Sequence, residues 1–158
     1  SCSSAAASYV YKRQGNTAQL GKWLGWLADV HFGDQVLVCI ASAPYANAQA
    51  VAQQLERLLG RAVTLVQSAD NAARPVQRVA WCSGGAQSYF EAAIAAGAEL
   101  FVTGEISESQ AHLAREMGVA FIAAGHHATE RYGAPGAAAQ VANEHGISHV
   151  FIDIDNPA

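Results

Sequence analysis

The sequence predicts an α/β fold, a mostly parallel sheet with flanking helices. Two observations carry that expectation. From residue 76 onward, short apolar or β-branched runs alternate with segments of helical periodicity, and strands separated by helices of about 10–15 residues need βαβ crossovers that lay them parallel. Three of these runs also end in glycine turns, at Ser83-Gly84-Gly85, Gly104 and Gly125, where a strand hands over to a helix. The composition agrees: 158 residues, 51% apolar and 14% charged, suffice for one domain whose core needs no disulfide or metal staple.

Behind Asn16, a plausible N-cap, Leu20, Trp23, Leu24 and Leu27 fall on one face and predict a helix over 16–28, with Trp26 off the stripe. Residues 36–40 read as a buried strand and Pro44 as a turn. The stretch 48–59 reads as a helix with Val51, Leu55, Leu58 and Leu59 on its apolar face and Gly60 as its stop. A second strand is expected over 61–66, then a polar loop over 68–75. The alternation then becomes regular: strand 76–82, helix 86–96, strand 100–103, helix 107–117 stopped by Gly118, strand 119–124, a further helix within 126–144 and a last strand over 149–154. Residues 1–15 stay unassigned, and 16–158 are expected to form the α/β domain. Core packing is the default expectation for Trp23, Trp26 and Trp81.

Nine basic against 13 acidic residues give a formal charge of −4, so no overall positive field attracts nucleic acid or an anionic membrane. No apolar run approaches the length of a membrane span. The three cysteines, at 2, 39 and 82, form no CxxC pair, which favours a reducing compartment and predicts a cytoplasmic protein. The start, small and polar without Met or a basic stretch, reads as a processed or cut end rather than a signal peptide.

Ligands of open α/β sheets gather beyond the carboxyl ends of the strands, so the three glycine turns are expected to share one rim. His126 and Glu130 stand four apart, and on a helix they project from one face, close enough to grip a single divalent cation. An imidazole and a carboxylate together suit Zn, Mn, Fe or Co. The ordinary reading is that His126 closes a strand while Glu130 sits in a first helical turn, where the helix dipole favours a carboxylate. His127 points elsewhere on the helix and reads as support for the ligands or as packing. The Ser83-Gly84-Gly85 turn offers backbone N–H groups to a phosphate or carboxylate, yet it lacks the nucleotide-binding spacings and reads equally as a tight turn. Cys82 has no following Lys or Arg to activate it and reads as an inert buried thiol. Glu105, with Glu108 and His112, forms either an acidic rim or a solvated helix start. Asp153 and Asp155 share one face of the last strand and read as a charged edge.

Four segments in this order carry a resemblance: 81–87 (WCSGGAQ), 103–107 (TGEIS), 125–131 (GHHATER) and 151–158 (FIDIDNPA). Together they resemble the C-terminal part of the Nif-three-like family, whose members carry the names GTP cyclohydrolase I type two homologue and dinuclear metal centre hexameric protein. The resemblance implies a two-lobed α/β fold, a toroidal hexamer and a pair of metal ions in each subunit, with His126 and Glu130 as ligands. It implies a metal-dependent, hydrolytic activity on a nucleotide-like small molecule. Gly84, Gly85, His127 and Glu105 are then the candidates for supporting the ligands or touching the substrate. The family's adjacent His pair and Asp have no counterpart in this chain; where the Asp belongs, residues 8–13 hold no carboxylate. The expectation is therefore a partial metal shell that binds a transition metal weakly or not at all by itself. Surfaces that would meet the rest of the family fold predict self-association. A module that keeps the fold without catalysis, or a small-anion binder built on the Gly84-Gly85 turn, are the opposing expectations.

Overall fold

The computed structural model describes residues 15–33, 36–154 and 156. The elements are α1 (Asn16–Leu24), β1 (Val30–Phe32), β2 (Val38–Tyr45), α2 (Ala48–Leu59), β3 (Thr64–Val66), β4 (Val76–Trp81), α3 (Phe90–Ala95), β5 (Leu100–Thr103), α4 (Glu108–Met117), β6 (Ala120–Ala123), α5 (His126–Glu130) and α6 (Gly133–His145). The six strands form one sheet in the order β1-β2-β4-β5-β6-β3.

The α/β class is as expected, and parallel pairing occupies the centre of the sheet. The β4-α3-β5 and β5-α4-β6 units place Val79, Ala80 and Trp81 beside Leu100, Phe101 and Val102, and these beside Ala120, Phe121 and Ile122. The flanks are antiparallel: β1 and β2 form a hairpin, β2 runs antiparallel to β4, and β3 to β6. The hairpin arises because the 33–37 connection is too short for a crossover, and a short connection between paired strands forces them antiparallel. Strand β2 runs past Pro44, which sits where the β2-β4 register shifts between Ser42 and Tyr45, an irregularity that tolerates the missing N–H.

Successive strand residues point to opposite faces, so the sheet carries two cores. On one face Val79, Trp81, Leu100, Val102 and Ile122 meet Leu20 and Leu24 of α1 and Val51 and Leu55 of α2. On the other, Ala80, Phe101 and Phe121 meet Phe90 of α3 and Ala114 of α4. Rings Phe90, Phe101 and Phe121 lie 4.9–5.8 Å apart, centroid to centroid, in stacked and edge-on contacts. Helix α2 starts where the Asn47 side chain accepts the Ala50 N–H at 2.9 Å and stops at Gly60.

Further expectations change. Helix α1 ends at Leu24 because Gly25 takes a left-handed conformation (φ 75°). That turn swings Trp26 into the core, where its indole donates to Tyr45 Oη at 2.8 Å, and leaves Trp23 64% exposed and Leu27 86% exposed. The last strand, expected over 149–154, joins no ladder: Val150, Phe151, Ile152 and Ile154 are all exposed. A strand needs a neighbour for its N–H and C=O groups, and none of the described strands pairs with this segment. Strand β3 is shorter than expected, covering 64–66 of 61–66. Cys2, the 8–13 segment and Asp155 lie outside the described residues. No described helix is long and apolar enough to cross a membrane.

Candidate metal centre

The carboxyl ends of β4, β5 and β6 open into three turns, and backbone hydrogen bonds tie these turns to one another. Gly104 N–H donates to the Gly84 carbonyl at 2.8 Å, and Gly125 N–H donates to the Gly104 carbonyl at 2.9 Å. Gly104 permits this approach: a Cβ there would lie 2.7 Å from both Gly84 O and His126 Cα. Two fully buried threonines complete the binding of the turns. Thr103 Oγ1 donates to the Gly84 carbonyl (2.9 Å) and accepts from Ala86 N–H (3.2 Å). Thr129 Oγ1 accepts from Gly84 N–H (2.9 Å) and lies 3.0 Å from the carbonyls of both Gly125 and His126. From α1, Thr17 Oγ1 accepts from Ser83 N–H at 3.1 Å.

On this frame the side chains of His126, Glu130 and Glu105 converge. His126 Nε2 lies 3.3 Å from Glu130 Oε2, and His126 Nδ1 lies 2.5 Å from Glu105 Oε1. Glu105 also receives a hydrogen bond from Gln87 Nε2 at 3.3 Å. Helix α5 sets the first contact by placing residues 126 and 130 one turn apart. Gly84 makes room for it: with φ 70° it occupies left-handed space, and a Cβ there would run into the Glu130 carboxylate and come within 3.2 Å of His126 Nε2. A Cβ on Gly85 would stand 3.3 Å from Glu105 Oε1. The hydrogen bond to His126 holds the Glu105 carboxyl below its ordinary range, against an opposing effect of burial. In turn the bond to Glu105, reinforced by the Glu130 charge, raises His126 above its ordinary value.

The expected candidates thus divide. His126 and Glu130 meet, Glu105 joins from the other side of the ring, and Gly84 and Gly85 line the wall where the carboxylates approach. The turn's N–H groups at Ser83, Gly84 and Ala86 are engaged by threonine hydroxyls, so the backbone offers little to an anion there. His127 turns away toward Asp153, 3.8 Å from its carboxylate, which Arg131 also pairs with at 3.1 Å. Glu108 and His112 are 92% and 62% exposed, a solvated helix start. Cys82 is buried and its thiol is pushed up by burial, as expected of an inert cysteine. Thr103, Thr129 and Gln87 are additions that the sequence reading lacks. The available signal is a hydroxyl residue ending an otherwise apolar strand just before a glycine, as at Thr103-Gly104.

Spacing decides whether the donor set suits a divalent ion. Bonds of about 2.0–2.2 Å place neighbouring ligands of one ion roughly 3–3.5 Å apart, and the His126–Glu130 separation falls in that interval. Glu105 cannot join them, since it faces the opposite ring nitrogen. Among the described residues no group of three or more His, Cys, Asp and Glu side chains is arranged to hold an ion. An open cavity of about 510 Å³ adjoins the pair, lined by His127, Arg131, Phe151 and Ile152 among others.

The family profile of Duf34/NIF3 (NGG1p interacting factor 3) matches residues 10–157. A relative from Neisseria meningitidis serogroup B, named GTP cyclohydrolase 1 type 2 homolog, is 46% identical over 145 residues, covering 91% of this chain and 57% of its own. A relative of the same name from Pseudomonas aeruginosa is 43% identical over 149 residues, with the same coverages. The chain therefore spans little more than half the length of these relatives. Among solved structures, the protein ybgI, described as of unknown function, superposes with a TM-score of 0.84 at 39% identity, covering 94% of this chain and 59% of that one. TTHA1606 from Thermus thermophilus follows with a TM-score of 0.77 at 28% identity, covering 93% and 57%. With the profile spanning nearly the whole sequence and relatives above 40% identity over nine-tenths of it, the chain belongs to the Duf34/NIF3 family.

Proposed function

We propose that this chain supplies two ligands, His126 and Glu130, to a divalent transition metal site (Zn, Mn, Fe or Co) that other residues complete, and that the completed site hydrolyses a nucleotide-like or other small phosphorylated substrate. The observation that carries the reading is the 3.3 Å approach of His126 Nε2 to Glu130 Oε2 across a glycine that leaves the space for it. The names of the relatives support the substrate class, and the cavity beside the pair gives a small molecule access. A bound ion would supply Lewis acidity, lowering the pKa of water and polarising a substrate oxygen. The chain's own contribution is to hold an imidazole nitrogen and a carboxylate oxygen on one side of a rigid rim, with Arg131 and His127 bordering the cavity.

Two donors make a weak site. Isothermal titration of Mn²⁺ or Zn²⁺ into the chain is expected to give weak binding or none, and His126→Ala or Glu130→Ala to abolish whatever binding there is. A tight pair of ions per chain, or binding indifferent to both substitutions, overturns the reading. A second reading, a non-catalytic module that self-associates, is favoured by the exposed Val150, Phe151, Ile152 and Ile154 beside the cavity, since contiguous apolar surface marks interfaces. The family's hexamer belongs to the same proposal. Metal content after purification separates the two, and a monomeric elution profile at high concentration removes the second.

A further inference from the structure

A neutral imidazole carries one proton, and only the nitrogen without it can bind a metal. Which nitrogen keeps the proton is decided by the partner the other side offers. Here both sides of His126 face carboxylates, and the two contacts differ. Glu105 Oε1 stands 2.5 Å from Nδ1, a short charge-assisted bond, whereas Glu130 Oε2 stands 3.3 Å from Nε2. Glu105 is itself oriented: its second oxygen accepts from Gln87 Nε2, and the turn that carries it is pinned by Gly104 between Gly84 and Gly125. The proton therefore belongs on Nδ1. The lone pair on Nε2 is left facing the Glu130 carboxylate, two electron-rich donors that a cation between them would satisfy.

From this we infer that Glu105 is a positioning residue, which fixes the Nδ1–H tautomer and the ring orientation of His126 so that Nε2 and Glu130 face one metal ion. The inference rests on the metal reading above and assigns Glu105 a place behind the ligands instead of among them. Gln87 acts likewise at a further remove, holding Glu105 by its second oxygen.

The test uses the full chain, Glu105→Ala, Glu105→Gln and two readouts. Long-range proton–nitrogen NMR of the His126 ring, at a pH where the ring is neutral, reports the tautomer without any metal. The wild type is expected to show Nδ1–H, Glu105→Ala to move the population toward Nε2–H, and Glu105→Gln, whose amide oxygen still accepts, to keep most of it on Nδ1. Titration with Mn²⁺ alone is expected to show affinity reduced about 10–100-fold in Glu105→Ala and less in Glu105→Gln. An unchanged tautomer in Glu105→Ala overturns the inference. If Mn²⁺ binds, is lost in His126→Ala and is untouched by Glu105→Ala, the positioning role fails while the metal reading stands. A tautomer that follows Glu105 supports the positioning role even in a chain that takes up no Mn²⁺, because the metal reading has other residues complete the site.

Discussion

Replacing Thr129 by Val removes one hydroxyl and changes almost nothing in shape, so it isolates the bond that ties α5 to the Gly84 turn. Thr129 is fully buried, and its Oγ1 accepts the Gly84 N–H at 2.9 Å. The Gly125 carbonyl keeps a second donor, the Thr129 N–H at 3.1 Å, so the substitution chiefly strands the Gly84 N–H. A buried backbone donor left without a partner costs about 1–3 kcal/mol, and about 2 kcal/mol is expected here. For a chain of this length that lowers Tm by roughly 4–8 °C. In urea the midpoint should fall at constant slope, since the surface exposed on unfolding is unchanged. Thr129→Ser provides the control: it keeps the hydroxyl and loses a methyl, at a cost of about 1 kcal/mol. Valine less stable than serine is the diagnostic order. If valine proves as stable as serine or more so, the hydroxyl does not hold the turns together and the account of the rim is wrong.

Other expectations follow from the same geometry. Gly84→Ala forces a Cβ into left-handed space and onto the Glu130 carboxylate; a loss of about 1–2 kcal/mol by urea denaturation and of more than about tenfold in Mn²⁺ affinity is expected. The Glu105–His126 pair should make stability depend on pH. The lowered Glu105 contributes above its ordinary value of 4.5 and loses that contribution as the pH falls through its folded value, while the raised His126 contributes below its ordinary value of 6.5 and loses it as the pH rises through its folded value. The benefit is therefore greatest between those two pH values, and Glu105→Ala should flatten the profile there and return the NMR-detected His126 titration toward 6.5. Cys39, buried beside Cys82, has its thiol pushed up to about 12; both should resist iodoacetamide in the native protein at pH values near 8 and react on unfolding, and a rapid native reaction at either would contradict their burial.

The sequence made the central sheet and its rim legible because both depend on local signals. Periodicity marked β4 to β6 and their helices, and the i, i+4 spacing of His126 and Glu130 became a real contact once α5 formed over those residues. The β1–β2 hairpin and the mixed pairing were hidden, since strand neighbours are chosen by contacts far apart in sequence. The end of α1 was readable in principle from Gly25, but the apolar stripe through Leu27 argued for a longer helix, and tertiary burial of Trp26 prevailed. The last strand failed for a different reason: its pattern is that of a strand, and the described residues offer it nothing to pair with. Glu105 was visible as a carboxylate near the rim, whereas its hold on His126 Nδ1 needed coordinates, because the turn after β5 carries no periodicity that aims a side chain.

The Gly84–Gly104–Gly125 bonds act as one more rung laid across the strands after the ladder has ended. Inserting a single residue into any of the three turns would break that rung and shift the start of the helix behind it. The polar loop over 68–75, which the Asn71 amide ties to the Gly118 carbonyl, carries no comparable rung. Length variation accumulating over many generations should therefore concentrate in that loop and spare the rim, whatever becomes of the individual side chains displayed there.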